Sequence, residues 1–151
     1  MHITKSTLAD MRYVLANLSK EFRRELELGG FSLDQLRISM KAFIKAEECL
    51  TLWANENIIG MLGFQVQHSA VVTAFPSTPD FFKQDTARFG RRLMRKIQAD
   101  MGNLPVVSES YSENERVERW YRAMGYRLDG SEGNKKVFRL DPAHPTRTTS
   151  I

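Results

Sequence analysis

The chain has 151 residues, of which 42% are hydrophobic and 26% charged, as is typical of one soluble globular domain. Its single cysteine excludes an intrachain disulfide, and its three scattered histidines form no metal-ligand pattern, so we expect no metal site. No stretch approaches the roughly 20 apolar residues of a membrane span. The net charge of +4 slightly favours an anionic partner, and the start lacks a signal-peptide pattern, so we expect a cytoplasmic protein.

The chain opens with a predicted strand over residues 1–5 and a first helix. Ser6 or Thr7 is placed to cap that helix, and the Gly29-Gly30 pair ends or interrupts it. Its apolar positions recur with helical spacing and predict an inward face formed by Leu8, Met11, Leu15, Leu18 and Phe22.

A second helix and three strands follow. Ser32 and Gln35 have the spacing of a capping box, in which the side chain of each residue accepts a hydrogen bond from the backbone N–H of the other. The predicted inward face of this helix is Leu33, Leu36, Met40, Phe43 and Ile44. Apolar and β-branched residues then predict strands over residues 49–54, 58–67 and 69–75.

The next segment predicts one long helix and a strand. Pro79 suits a helix start, and residues 81–101 are helical by pattern, with Gly102 closing the helix. The inner stripe is Phe82, Phe89, Leu93 and Ile97. Residues 105–110 then form a strand.

The last helix is predicted to begin at a second capping-box pair, Ser112 and Glu115, and to end at Gly125. Its apolar face is Val117, Trp120, Tyr121 and Met124. A hairpin of residues 126–128 and 136–140 completes a single domain over residues 1–141, and residues 142–151 form a polar tail.

Five residues of this region resemble a motif of the GNAT superfamily of N-acetyltransferases. That motif has Asn, an aliphatic residue three positions later, Tyr at seven, and Gly-aromatic at eleven and twelve. The matching residues are Asn114, Val117, Tyr121, Gly125 and Tyr126. The predicted order of strands and helices is also that of the GNAT fold.

The resemblance implies an α+β, three-layer fold, with a mixed, mostly antiparallel central sheet flanked by helices. We therefore expect the strand at 105–110 to lie beside the strand at 69–75 and to splay away from it. In GNAT proteins the pantetheine arm of the cofactor lies in that opening.

The activity implied by the resemblance is N-acyl transfer from acetyl-CoA to an amine, in a small molecule or a protein. In the family, the motif tyrosine is the general acid for the departing thiolate, a role that falls here to Tyr121. A general base is harder to name from the sequence, and Glu109 and His68 are the candidates.

The family binds the CoA pyrophosphate in a glycine-rich loop at a helix N-terminus, where backbone N–H groups meet the phosphates. Only the second half of that loop motif is present, as Gly90-Arg91-Arg92-Leu93-Met94. Arg88 replaces the first glycine, and Asp85 replaces a Gln or Arg, so we predict that acetyl-CoA binds weakly or not at all. The implied cofactor contacts are Arg88, Phe89, Gly90, Arg91, Arg92 and Asn114.

The main alternative is a non-catalytic GNAT-like structural or interaction module with a protein partner or a homo-oligomeric state. A weaker resemblance to small phage-encoded GNAT-like proteins extends this alternative to a virion-associated protein. Arg88, Arg91, Arg92 and Arg95 recur at helical spacing and form a basic stripe. Nucleic-acid binding through this stripe is the least favoured function, because few aromatic residues accompany the arginines. A loop-to-helix turn at residues 85–90 favours the enzyme, whereas a continuous helix there favours the module.

Overall fold

The computed structural model describes residues 1–144, so most of the predicted tail at 142–151 lies outside the described part. The helices are α1 (Leu8–Ala16), α2 (Lys20–Gly29), α3 (Leu33–Lys45), α4 (Ala87–Asp100) and α5 (Glu115–Ala123). The strands are β1 (His2–Lys5), β2 (Cys49–Ala54), β3 (Asn57–Gln67), β4 (Ala70–Ala74), β5 (Val106–Ser110), β6 (Arg127–Glu132) and β7 (Lys135–Leu140). None of the helices in this part of the chain is long and apolar enough to cross a membrane.

The seven strands form one sheet in the order β1-β2-β3-β4-β5-β7-β6. All neighbouring pairs are antiparallel except β4 and β5, which run parallel. The prediction of a mixed, mostly antiparallel sheet flanked by helices is therefore confirmed.

The parallel pair at the centre of the sheet separates soon after it forms. Val71 pairs with Val106 and Val72 with Val107, and the register ends there. At the point of separation, the hydroxyls of Thr73 and Ser108 are 2.6 Å apart and hydrogen-bonded. The splayed strands leave an opening at the carboxyl end of β4, as predicted.

Each face of the sheet carries its own apolar core. One core packs α1 and α3 on the sheet through residues such as Met11, Met40 and Met61, and it includes the buried Cys49. Burial raises the pKa of this thiol to about 11, which leaves it protonated and unreactive at neutral pH. The other core lies under α4 and α5 and contains Phe138, which is 1% exposed.

The first predicted helix is two helices, so that prediction is wrong. Ser19 caps α2 by accepting a hydrogen bond from the backbone N–H of Phe22 at 3.1 Å. Its own backbone N–H donates to the carbonyl of Ser77 at 2.9 Å, which holds the break between α1 and α2 in place. Leu8 and Leu33, both expected to face inward, are 47% and 42% exposed.

The long helix predicted over residues 81–101 is also interrupted. A short 3₁₀ helix covers Pro79–Lys83, the backbone of Gln84 is extended, and α4 begins at Ala87. Phe81 is buried, whereas Phe82, which was placed on the inner stripe, is 42% exposed. The final hairpin is longer than predicted, because β6 continues to Glu132.

Candidate functional site

A cavity of about 460 Å³ opens where β4 and β5 separate. Its lining residues come from α2, α3, the 3₁₀ helix, the loop that ends at Thr86 just before α4, the splayed strands β4 and β5, and α5. The cavity therefore joins the N-terminus of α4 to the face of α5 that carries Tyr121.

The N-terminus of α4 presents backbone donors without partners. The first helical hydrogen bond runs from Gly90 N to the carbonyl of Thr86 at 2.7 Å. Within residues 1–144, nothing accepts from the N–H groups of Ala87, Arg88 or Phe89. Thr86 precedes them without capping the helix. Residues 85–90 thus form a loop-to-helix turn, and its free N–H groups suit an anionic ligand.

The hydroxyl of Thr86 binds Trp120 and does not cap α4. The indole Nε1 donates to Thr86 Oγ1 at 2.9 Å. The indole ring also stacks on Phe75, with centroids 6.4 Å apart, and meets Phe81 edge-on at 5.4 Å. Trp120 is thus a core anchor, as predicted, and it forms the cavity wall between the start of α4 and Tyr121.

Three of the four arginines of α4 are exposed. Arg88, Arg91 and Arg92 have no carboxylate within 4.0 Å in the described part of the chain. Arg95 differs, because its Nη1 donates to Gln98 Oε1 at 2.7 Å and to the carbonyl of Asp141 at 2.9 Å. Arg95 is therefore a structural residue, and the other three are available to an anion.

Phe89 and Gly90 have packing roles in the structure. Phe89 packs against the core under α4. A Cβ atom on Gly90 would lie 2.6 Å from Met124 Sδ, so the glycine lets α4 approach the end of α5. The predicted contacts of Phe89 and Gly90 with the cofactor stay predictions. The group of Phe89 that remains free to bind the cofactor is its backbone N–H.

The ring of Tyr121 lies between the cavity and the core. It stacks on Phe138, with centroids 4.3 Å apart, and contacts the ring of Tyr126 edge-on at 5.2 Å. Burial raises the pKa of Tyr121 above its usual range, and Tyr126 and Glu25 raise it further, whereas a hydrogen bond with Ser108 opposes them. The phenol therefore stays protonated at neutral pH, as a proton donor must.

Asn114 and Glu109 also line the cavity. Asn114 caps α5 by accepting from Arg116 N at 2.9 Å, so the prediction that Ser112 caps this helix is wrong. The side chain of Glu109 is half exposed, and Lys135 Nζ lies 3.8 Å from it. His68 occupies the turn at the other end of β4 and does not line the cavity.

Glu25 of α2 is a cavity residue that the sequence analysis did not single out. Its Oε1 accepts hydrogen bonds from Ser110 Oγ at 3.0 Å and from Tyr111 N at 2.8 Å, which tie α2 to the end of β5. Burial raises the pKa of this carboxyl above its usual range, although these hydrogen bonds and Ser112 lower it. The available signal was its position three residues after Phe22 and one before Leu26, on the apolar face of α2.

The raised pKa of Glu25 predicts a pH-dependent effect of Glu25→Gln on stability. The protonated carboxyl is favoured in the folded state, so the contribution of Glu25 is greatest below its unfolded pKa of about 4.3. It is lost as the pH rises through the higher folded pKa. Glutamine does not titrate and retains an acceptor oxygen, so the melting temperature of the variant should rise relative to that of the wild type as the pH increases above about 4.3. A difference that is constant with pH would contradict this reasoning.

The fold matches solved structures of acetyltransferases. The PaiA N-acetyltransferase of Thermoplasma acidophilum, in complex with coenzyme A, is 13% identical with a TM-score of 0.69, over 93% of this chain and 98% of that one. An acetyltransferase of the GNAT family from Bacillus anthracis is 15% identical with a TM-score of 0.68, over 91% and 92%. The spermidine N-acetyltransferase of Vibrio cholerae, in complex with CoA and spermine, is 15% identical with a TM-score of 0.58, over 91% and 92%.

No protein-family model matches the sequence, and no curated protein matches it significantly. At 13–15% identity the structural matches establish the fold, and they confirm the predicted architecture.

Proposed function

We propose that this chain, which has the fold of the GNAT acetyltransferases, transfers an acyl group from acyl-CoA to an amine. One observation carries the proposal. A single cavity runs from Thr86, the residue just before the free N–H groups of α4, past the splayed strands, to the ring of Tyr121. Such a path suits a long ligand with phosphates at one end and a reactive thioester at the other.

The start of α4 supplies the anion-binding end. The N–H groups of Ala87, Arg88 and Phe89 would donate to the pyrophosphate, with the exposed Arg88, Arg91 and Arg92 close by on the same helix. No nest of successive glycines is needed for these donors, so Arg88 at the first glycine position does not by itself prevent binding.

The other end of the cavity supplies the proton chemistry. The amine nitrogen attacks the thioester carbon, a C–N bond forms, and the C–S bond breaks with its electron pair going to sulfur. Tyr121 would donate its phenolic proton to the departing thiolate and recover one from the nitrogen. Asn114 would position the acyl-CoA from the start of α5, and Glu109 stays a candidate base at the rim.

Calorimetric titration with acetyl-CoA and with free CoA tests the binding half of this proposal. Asp85 lies in the loop before α4, where its carboxylate would face the phosphates. Asp85→Asn should tighten binding by about 1 kcal/mol, roughly fivefold in Kd, and the gain should shrink with added salt. Asp80→Asn in the 3₁₀ helix is the matched control, because Asp80 already pairs with Lys83 at 3.2 Å. Equal affinities in both variants and wild type would remove α4 as the phosphate site.

A non-catalytic binding module is the second candidate. The hydrogen bond between Thr73 and Ser108 favours it, because the bond links β4 to β5 where the acyl-CoA arm would enter. Whether or not such a module binds acetyl-CoA, it would release no free CoA when an amine is added.

A further inference from the structure

The cavity wall carries charge of the opposite sign to the chain as a whole. Three carboxylates, those of Glu21, Glu25 and Glu109, line it beside one guanidinium, that of Arg116. The protein has a net charge of +4, so this local negative charge runs against its overall field. The part of the wall formed by α2 and β5 therefore favours a cationic group, whereas the start of α4 favours an anionic one.

The same wall is apolar between α2 and the 3₁₀ helix. Phe22 and Leu26 come from α2, Phe31 from the loop after it, and Phe82 from the 3₁₀ helix. Phe31 and Phe82 are 48% and 42% exposed, so their rings present apolar surface to a ligand in the cavity. The lining suits a ligand that has an apolar group next to its cation.

Glu25 is an acidic lining residue that lies on α2, the helix that also supplies the apolar residues Phe22 and Leu26. Both of its well-formed hydrogen bonds are accepted by Oε1, and the backbone N–H of Ser112, which also lowers the pKa of this carboxyl, forms no such bond with Oε2. Every side-chain oxygen that is sealed from solvent in the described residues has a partner, so Oε2 is accessible to solvent, and Glu25 lines the cavity.

The spacing of Ser108 and Ser110 along β5 indicates how far the carboxyl of Glu25 lies from the hydroxyl of Tyr121. Ser110 holds the carboxylate, and Ser108, two residues earlier on the same strand face, interacts with Tyr121. Two residues of a strand span about 7 Å, which leaves room for an amine nitrogen and a thioester carbon between the carboxylate and the phenol.

We propose that Glu25 Oε2 binds the acceptor's ammonium group and takes its first proton, and that the acceptor is a primary amine attached to an apolar group about the size of a phenyl ring. This inference rests on the proposed acyl transfer. The ammonium loses one proton to Oε2, which passes it to solvent. The second nitrogen proton follows bond formation and replaces the one that Tyr121 gives to sulfur. The products are an amide, free CoA and one proton.

The recognition half is tested without acyl-CoA, by calorimetry with 2-phenylethylamine and with uncharged 2-phenylethanol. Glu25→Gln should weaken binding of the amine at least about tenfold and leave the alcohol unchanged, since glutamine retains the Ser110 and Tyr111 contacts. Phe22→Ala should weaken both ligands alike. Glu27→Gln on the exposed face of α2 is the matched control and should change neither. No binding of the amine to wild type, or equal binding to Glu25→Gln, would overturn the inference.

The catalytic half is tested by the pH profile of kcat/KM with acetyl-CoA and 2-phenylethylamine. The ionisable groups lining the cavity around Glu25 are Glu21, Glu109, Tyr111, Arg116 and Tyr121. Wild-type kcat/KM should rise with pH as Glu25 ionises, and Glu25→Gln should lose this acidic limb and about 10²–10⁴-fold of the rate. An unchanged limb would overturn the assignment to Glu25. Absence of acetyl-CoA binding in the separate titration would instead refute the proposed function, whatever the result with the amine.

Discussion

Replacing Tyr121 with phenylalanine is expected to lower turnover by roughly 10²–10⁴-fold, because only the proton-donating hydroxyl is removed. The ring keeps its stack on Phe138 and its edge contacts with Trp120 and Tyr126. Stability should therefore fall by no more than about 1 kcal/mol, the usual cost of one lost hydrogen bond. Steady-state kinetics and thermal unfolding of the same preparation measure both effects.

Tyr126→Phe is the matched control for this substitution. Tyr126 is 5% exposed, and burial raises the pKa of its hydroxyl as it does that of Tyr121. It also interacts with Ser108, but it does not line the large cavity. Tyr126→Phe should cost a similar stability and retain the activity. Equal loss of turnover in both variants would assign Tyr121 a structural role.

Phe138→Ala should produce the largest loss of stability among the substitutions considered. Its side chain lies on β7 and supports the ring of Tyr121 from beneath, with centroids 4.3 Å apart. Removing a buried phenyl ring leaves a cavity and costs about 3–5 kcal/mol, out of a typical total of about 5–15 kcal/mol. The midpoint of thermal unfolding should fall by roughly 10 °C or more.

Leu128→Ala provides the comparison, because Leu128 is the cross-strand partner of Phe138 on the edge strand β6. Leu128 is 37% exposed, so its truncation should cost less than about 1.5 kcal/mol. A loss as large as that of Phe138→Ala would show that the hairpin, rather than the ring under Tyr121, dominates the stability of this region.

The parts of the fold that depend on local sequence were predicted well. The capping box of Ser32 and Gln35 is present, with both of its hydrogen bonds formed, and it starts α3 where predicted. The strand segments were recognised by their β-branched and apolar residues, and the resemblance to the GNAT fold implied which two strands would splay.

The errors lie where a distant contact overrides the local pattern. The apolar spacing of residues 8–22 allows one continuous helix, but Ser19 is bound to Ser77, 58 residues away. The helix predicted from residue 81 likewise breaks before α4, where Thr86 accepts from Trp120, 34 residues away. Neither contact has a signal in its own segment, because each depends on how the sheet brings the two segments together.

The candidate site was predicted in part for the same reason. Tyr121 and the arginines of α4 lie within motifs with fixed spacing, so the sequence alone points to them. Glu25 belongs to no such motif, and it becomes notable only when folding brings α2 against the end of β5. The acidic wall of the cavity is likewise assembled from α2 and β5, whose residues Glu25 and Glu109 are 84 positions apart in the sequence.

The most direct test of the account is amine-dependent release of free CoA from acetyl-CoA by the wild-type protein, with the acylated amine identified by mass spectrometry. We expect one thiol per amide formed, no release without an amine, and a release rate in Tyr121→Phe that is lower by roughly 10²–10⁴-fold. Release that is independent of the amine, or no release from a protein that binds acetyl-CoA, would contradict acyl transfer in this cavity and support a binding module.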